Sequence, residues 1–281
     1  MAPTWLTVVA WIYISVCFIC AAVITYDIAF NDRRQPMGVM NFVFPITALY
    51  FGPFALALYW RWARTPASAP TVRGPAREAE AGVRAAAPAR EMAVAPGQHE
   101  MAFSGRRHAH EAMLGAEDSG AADSPSAAKP ARPYWATMAI EVSHCGSGCT
   151  LGDLISEWLI FAFAITVAGS TLPAEYIGDY VFAVALGIVF QYFAIAPMRG
   201  LGLRDGLRAA AKADVISLTF FEIGLFAWMA LMTFVFFPAP NDLMPDSIAF
   251  WLMMQLGMII GYFTSWPANV WLVKRGIKVP M

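Results

Sequence analysis

Six stretches of mostly apolar residues recur along this chain, at roughly 5–27, 39–60, 154–172, 180–197, 215–237 and 248–272. A helix rises about 1.5 Å per residue, so about 20 apolar residues cover the hydrocarbon thickness of a bilayer. The expectation is an all-α, polytopic integral membrane protein with six transmembrane helices. Composition agrees: 58% of residues are hydrophobic and 14% charged, against about 25% charged in an ordinary soluble domain. The lipid bilayer is therefore the first partner to expect, and a formal net charge of −1 invites no nucleic acid. The N-terminal run lacks a basic leader and is too long for the core of a signal peptide, so it reads as a retained helix.

Between the second and third runs the polypeptide changes character. Residues 63–133 are rich in Ala, Pro, Gly, Ser, Arg and Glu, with Phe103 the only aromatic among Phe, Trp and Tyr. Such a segment cannot bury enough apolar surface to offset its ordering entropy, and it reads as a long disordered linker. Three parts follow: a two-helix transmembrane hairpin over 1–62, the linker over 63–133, and a four-helix membrane core over 134–281. Basic residues in short loops mark the cytoplasmic side. Arg61 and Arg64, then Arg199, Arg204, Arg208 and Lys212, then Lys274, Arg275 and Lys278 alternate with loops holding Glu175, Asp179, Asp242 and Asp246. Six spans then place both termini and the linker in the cytoplasm, against the dissent of Arg33 and Arg34 in the first loop. Segment 199–213 reads equally as a short amphipathic helix on the inner leaflet or as a solvated loop.

The chemistry concentrates in SHCGSGCTLGD, residues 143–153. With the third span beginning at 154, this is a glycine-rich turn at the cytoplasmic mouth of that helix. Thr150 and Asp153 resemble a capping pair, and Cys149 falls just before the helix N-terminus, where free N–H groups favour a thiolate. Gly146 and Gly148 would let His144, Cys145 and Cys149 converge. Thiolate plus imidazole suits copper(I) or zinc. Zinc prefers four ligands and would need Asp153, Glu141 or a second subunit as well, whereas copper(I) accepts two or three. A Cys145/Cys149 thiol–disulfide couple is a second reading, and a plain turn a third. The HC-x-x-G opening of cysteine phosphatases is also present, but Leu151 stands where that loop needs its arginine, which removes the reading.

Ionisable and amide groups inside a span are functional hypotheses by default. Glu157, Gln191, Glu222 and Asn269 all fall, by this threading, in the cytoplasmic half, as if lining a cavity that opens inward. The bland alternative is that each bonds a neighbouring helix. Cys17, Cys20 and Asp27 share one face of the first helix, where buried cysteines usually pack as small hydrophobes. Met229, Met232, Met253, Met254 and Met258 read more readily as packing than as a copper path. Gly257 and Gly261 form a G-x-x-x-G pair for close helix contact, and Pro267 should kink the last helix. His108 and His110 lie in the linker. No Walker loop, dinucleotide fingerprint or nucleophile elbow occurs.

Taken together, HCGSGCTLGD followed by EW, then GIVFQYFAIAPMR, AKADVISLTFFEIG and FWLMMQLGMIIGYFTSWPANVWLVKRGIK resemble a bacterial membrane family catalogued as domain of unknown function 4396. The similarity runs over about 135–281, and MGVMNFVFPITALYFGP resembles its longer members. The resemblance implies that His144, Cys145, Cys149 and Asp153 belong to a family signature, HCxxGCTxGD, that the linker varies in length, and that the protein sits in a bacterial inner membrane. It implies no activity. The leading expectation is a membrane protein that transports or inserts a soft transition metal, copper or zinc, captured by His144, Cys145 and Cys149, with Glu157 and Glu222 along the path. The alternatives are a membrane thiol–disulfide oxidoreductase, and a non-enzymatic scaffold that recruits a protein partner through the linker or assembles as a homo-oligomer. Whether the protein is an enzyme is left open.

Overall fold

The structure, a computed structural model, describes residues 2–35, 37–65, 132–200 and 202–278. The expected linker falls almost wholly outside these, as do His108 and His110. The remainder forms one compact unit, so the first 65 residues and the core are not separate bodies. Among the described residues the fold is all-helical, without a strand.

The elements are α1 (Thr4–Phe30), α2 (Met40–Phe51), α3 (Pro53–Leu58, prolonged by a π turn over Tyr59–Ala63), α4 (Tyr134–Phe163), α5 (Leu172–Arg199), α6 (Leu203–Leu231, with a π turn over Met232–Phe236) and α7 (Ile248–Lys274). Four helical stretches are long and apolar enough to cross a membrane: Thr4–Phe30, Leu172–Ile195, Leu203–Phe236 and Ile248–Lys274. Their outer faces carry large exposed apolar side chains, among them Trp11, Phe18, Ile19, Ile177, Phe193 and Phe263. An aqueous protein rarely leaves so much contiguous apolar surface uncovered. Helix α4, at 30 residues, matches them in length but carries Glu141, Asp153 and Glu157, which lower its hydropathy.

The stretch 39–60, expected as one span, instead folds back on itself within residues 40–63. α2 runs inward from the end of α1, the chain breaks at Gly52–Pro53, and α3 returns to its starting end. At Gly52 φ is +51° and ψ −119°, a backbone region that favours glycine. Pro53 opens the next helix, where its missing N–H is harmless. The return is fastened by Arg64, which donates Nε to Asp27 Oδ2 at 2.7 Å and Nη2 to Asp27 Oδ1 at 2.6 Å. Tyr59 adds its hydroxyl to Asp27 Oδ2 at 2.9 Å, and Gln35 donates to the Ala63 carbonyl. Burial would disfavour the Arg64 charge, but the bonds to Asp27 prevail and raise its pKa above the usual arginine value. A broken helix inside lipid must find donors for its freed carbonyls. Here Tyr13 Oη donates to Tyr50 O at 2.7 Å, and Gln255 Nε2 to Leu49 O.

The consequence is a helical hairpin that enters and leaves the bundle at one end, where a single span was expected. The start of α1 (Leu6, Ala10, Ile14) packs with Leu172, Met232 and Ala249, at the end of the bundle where α5 and α7 begin and α6 finishes. Its other end packs with Ala63, Ala139 and Ile140, beside the start of α4. The two chain ends therefore lie at opposite ends of the bundle, so they cannot both face one compartment if a membrane surrounds it. Arg33 and Arg34, dissenters under six spans, now stand at the same end as Arg61 and Arg64. Every Lys and Arg of the described residues stands at that end, and the opposite connections hold none. Segment 199–213 is neither a loop nor a separate surface helix: from Leu203 it is the first turns of α6.

Candidate functional site

SHCGSGCTLGD is not a turn. α4 begins at Tyr134, with Pro133 before it, and the stretch occupies the middle of the helix with His144, Cys145, Cys149 and Asp153 all buried. The expected capping role of Thr150 is likewise corrected, because its hydroxyl bonds back to the Gly146 carbonyl at 2.8 Å within the helix. The glycines serve close approach. A Cβ on Gly148 would sit 2.6 Å from Gly187 Cα, and one on Gly152 would strike the backbone of Ala183. α4 and α5 thus touch through Gly148/Gly152 on one side and Ala183/Gly187 on the other, the small-residue contact that membrane helices use. Gly257 and Gly261, the pair expected to make such a contact, rest against Leu225 and Phe221 of α6.

Because the stretch is helical, its functional side chains are distributed by the helical repeat. Cys145, Cys149 and Asp153 follow one another at four-residue intervals and share a winding stripe, while His144 points away and meets the Phe190 ring at 6.4 Å. The stripe is longer than the motif. Glu141, Cys145, Cys149, Asp153 and Glu157 recur every fourth residue, all buried, climbing about 6 Å per step. Sequence reasoning missed this pattern, although an E-x-x-x-C-x-x-x-C-x-x-x-D-x-x-x-E spacing was visible once the segment was written as helix.

At the basic end, the stripe meets the C-terminal segment. α7 closes with Gly276 at φ +68°. The N–H groups of Gly276 and Ile277 bond the carbonyls of Val273 and Leu272 at 3.0 Å each, a Schellman turn that sends the chain back toward the bundle. Lys278 enters it. Its Nζ lies 2.7 Å from Cys145 Sγ, 2.9 Å from Asp214 Oδ1, 2.9 Å from Glu141 Oε1 and 3.1 Å from Asn269 Oδ1. Cys145 in turn donates to Asp214 Oδ1 at 2.8 Å, and Ser217 donates to the same oxygen at 3.1 Å. Burial alone would favour the neutral amine, but Asp214, Cys145 and Glu141 hold the proton on Lys278 well above the usual lysine range. His144 lies within electrostatic reach of Asp214 and Glu141, and neither of its ring nitrogens has a partner among the described residues.

Toward the other end the stripe becomes acidic. Cys149 faces Glu222, Asp153 faces Glu222, Asp179 and Glu157, and Glu157 adjoins Asp179 with Glu175 beyond. The carboxyl oxygens of Asp153, Glu157, Asp179 and Glu222 make no well-formed hydrogen bond among the described residues, although the Ser156 hydroxyl lies beside Asp179 and the Cys149 thiol beside Glu222. Two facing carboxyl groups form a bond only when one holds a proton, so protons or a cation are needed to complete the group. Gln191 is buried, and its Oε1 has no partner among the described residues. These positions correct the expectation of a cavity confined to the cytoplasmic half. α4 starts twenty residues before the expected 154, so Glu157 lies toward the far end, Glu222 midway along α6, and only Gln191 and Asn269 in the basic half.

All four cysteines are free thiols. Cys145 and Cys149, four apart on a helix, have β-carbons about 5–6 Å apart, whereas a disulfide holds them at about 3.5–4.5 Å; a redox couple would need the helix to open. Cys17 and Cys20 pack near Gly52 and in the apolar hairpin contact, as buried cysteines commonly do. Among the described residues no group of three or more His, Cys, Asp or Glu could hold a metal ion as it stands. The three-residue convergence of His144, Cys145 and Cys149 expected of a turn is thereby replaced by a linear file. Methionines 229, 232, 253, 254 and 258 lie in apolar packing.

No curated protein and no solved structure matches the chain. A family model described as a domain of unknown function, DUF4396, matches residues 134–278, from the first residue of α4 to the lysine that closes the polar file. The chain therefore belongs to the DUF4396 family.

Proposed function

We propose that the protein is an integral membrane protein that handles a metal cation, copper or zinc, by passing it along the file from Glu175, Glu157 and Asp179 through Asp153, Glu222 and Cys149 to Cys145, Asp214 and Glu141. In this reading α1, α4, α5, α6 and α7 cross the bilayer and the α2–α3 hairpin dips into it, giving five crossings instead of six. The basic end faces the cytoplasm by the positive-inside rule, the N-terminus faces outward, and residues 66–131 form a cytoplasmic linker in an inner membrane.

One observation carries the reading: the unbroken four-residue repeat of thiols and carboxyls buried along α4. Buried carboxylates without donors destabilise a bundle unless a cation or protons neutralise them, and a chain keeps them in lipid for a ligand that moves. Thiols at two steps supply soft donors and carboxylates at three supply hard ones, a combination suited to zinc or copper. The test is uptake of zinc or copper into proteoliposomes that enclose a metal-sensitive dye. Flux that falls to the empty-vesicle rate in Cys149→Ser and Asp153→Asn supports the proposal; equal flux in these variants and the unmodified protein, or none above empty vesicles for either metal, refutes it.

A further inference from the structure

We infer that Glu141, Cys145, Asp214 and Asn269 form a zinc site at the basic end of the file, and that Lys278 is a tethered cation that fills it until zinc displaces the C-terminal turn; this rests on the cation-handling reading.

The geometry is that of a cage around an ammonium, which holds its walls too far apart for a metal as they stand; with Lys278 gone they would have to draw in to about 2.0–2.3 Å for zinc. Three acceptors from three different helices hydrogen-bond one nitrogen within 2.7–3.1 Å, matching the three protons of an ammonium, and Glu141 Oε1 pairs with it by charge at 2.9 Å. The cage also has capacity to spare, because Asp214 Oδ2 is buried without a partner among the described residues. Its donors are one sulfur, two carboxylates and one amide oxygen. That mixed set matches zinc, which takes four ligands from sulfur, nitrogen and oxygen, better than copper(I), which prefers sulfur and nitrogen. The cage is supported like a binding site: Asn269 Nδ2 is tied to Ser265 O at 3.1 Å and Ser217 Oγ to Asp214 O at 2.9 Å, which orients both ligands.

Exchange conserves charge. With Lys278 in place, two carboxylates, a neutral thiol and an ammonium leave the cage with one negative charge. Zinc enters as a dication, Lys278 leaves still protonated, and Cys145 releases its thiol proton to water. Two carboxylates, a thiolate and Zn(II) again leave one negative charge. No electron moves, and one proton is liberated per zinc bound. The tether is short enough to act as a latch, because Lys278 follows Gly276 by two residues and its N–H bonds only the Leu272 carbonyl.

The experiment uses the full chain in detergent with Zn(II) alone, its affinity read by competition with a chromophoric chelator at fixed pH. Lys278→Met keeps the side-chain stem and removes the internal competitor, so zinc should bind at least tenfold tighter than in the unmodified protein, and Cys145→Ser should cost at least as much. In parallel, acetylation of the unmodified protein should leave Lys278 protected without zinc and label it at saturating zinc. This arm needs no variant, so it decides the matter should Lys278→Met not fold. Zinc that binds with Lys278→Met no tighter, or with Lys278 still protected, overturns the latch while leaving metal uptake by vesicles to judge the wider reading. No zinc binding by any form overturns the site, and uptake of copper in the vesicle assay would then keep the wider reading alive.

Discussion

The ammonium of Lys278 lies 2.7 Å from the thiol sulfur of Cys145, although 133 residues separate them in sequence. That contact joins the last turn of the described chain to the first helix of the family domain. It places a soft donor, a cation and two carboxylates at one end of a buried file.

Removing a carboxylate from the acidic half of that file should stabilise the protein while destroying its activity. Asp153 is fully buried with no donor to either oxygen among the described residues, so Asp153→Asn relieves like-charge crowding and desolvation. We expect detergent-solubilised Asp153→Asn to unfold later on heating, by about 1–3 kcal/mol, with metal uptake lost. A destabilised variant would show that Asp153 is a structural hydrogen-bonding group.

The contact between α4 and α5 should tolerate no side chain at its centre. Gly148→Ala drives a Cβ to 2.6 Å from Gly187 Cα, backbone that cannot rotate aside. The expected loss is about 1–3 kcal/mol, with Gly148→Leu failing to fold. Gly38→Ala, which meets nothing within 4 Å, serves as the control and should leave the unfolding free energy within about 0.5 kcal/mol of the parent.

Asp27 and Arg64 should be thermodynamically coupled. Charge-assisted bonds are worth about 1.5–3 kcal/mol when buried, but the Arg64 side chain is 36% exposed, and solvent screening reduces the expected coupling to about 1 kcal/mol. A double-mutant cycle of Asp27→Asn and Arg64→Gln read by thermal unfolding measures it directly. Zero coupling would mean that the hairpin is held by its apolar contacts alone.

Reporters attached before Thr4 and after Lys278 should report opposite sides of the membrane, and single cysteines at Gly38 and Thr65 the same side. An impermeant thiol reagent on intact cells, with the four native thiols buried, distinguishes the two. Both chain ends on one side would restore six crossings and break the re-entrant hairpin.

Much of the fold was legible before any coordinates: the helical class, and four of the spans to within a dozen residues at either end. Two errors have definite physical causes. SHCGSGCTLGD was read as a turn because glycine and polar residues end helices in water. In a membrane bundle the same residues let helices approach and supply cross-bonds, as Gly148 does at Gly187. Residues 39–60 were read as one span because apolar content alone does not register direction. The break was written in the sequence as Phe51-Gly52-Pro53, a helix stop followed by a helix start. The candidate site was legible by residue type and not by arrangement. His144, Cys145, Cys149, Asp153, Glu157, Glu222 and Asn269 are all buried, yet Glu141 enters the sequence reading only as an optional further ligand, and Asp179, Asp214 and Lys278 not as site residues at all. Lys278 in particular looks like one of several loop cations until a Schellman turn points it inward.

The fold-back of α2 and α3 also brings two distant points of the chain together. Trp62 and Trp135 meet edge to face with centroids 6.0 Å apart, so the polypeptide leaves the bundle and re-enters it at the same doorway. The chain between them therefore joins two neighbouring points, and the closure entropy of such a connection grows only by about 0.6 kcal/mol for each doubling of length. Its length can change at little cost to the helices that hold the thiols and carboxylates in line.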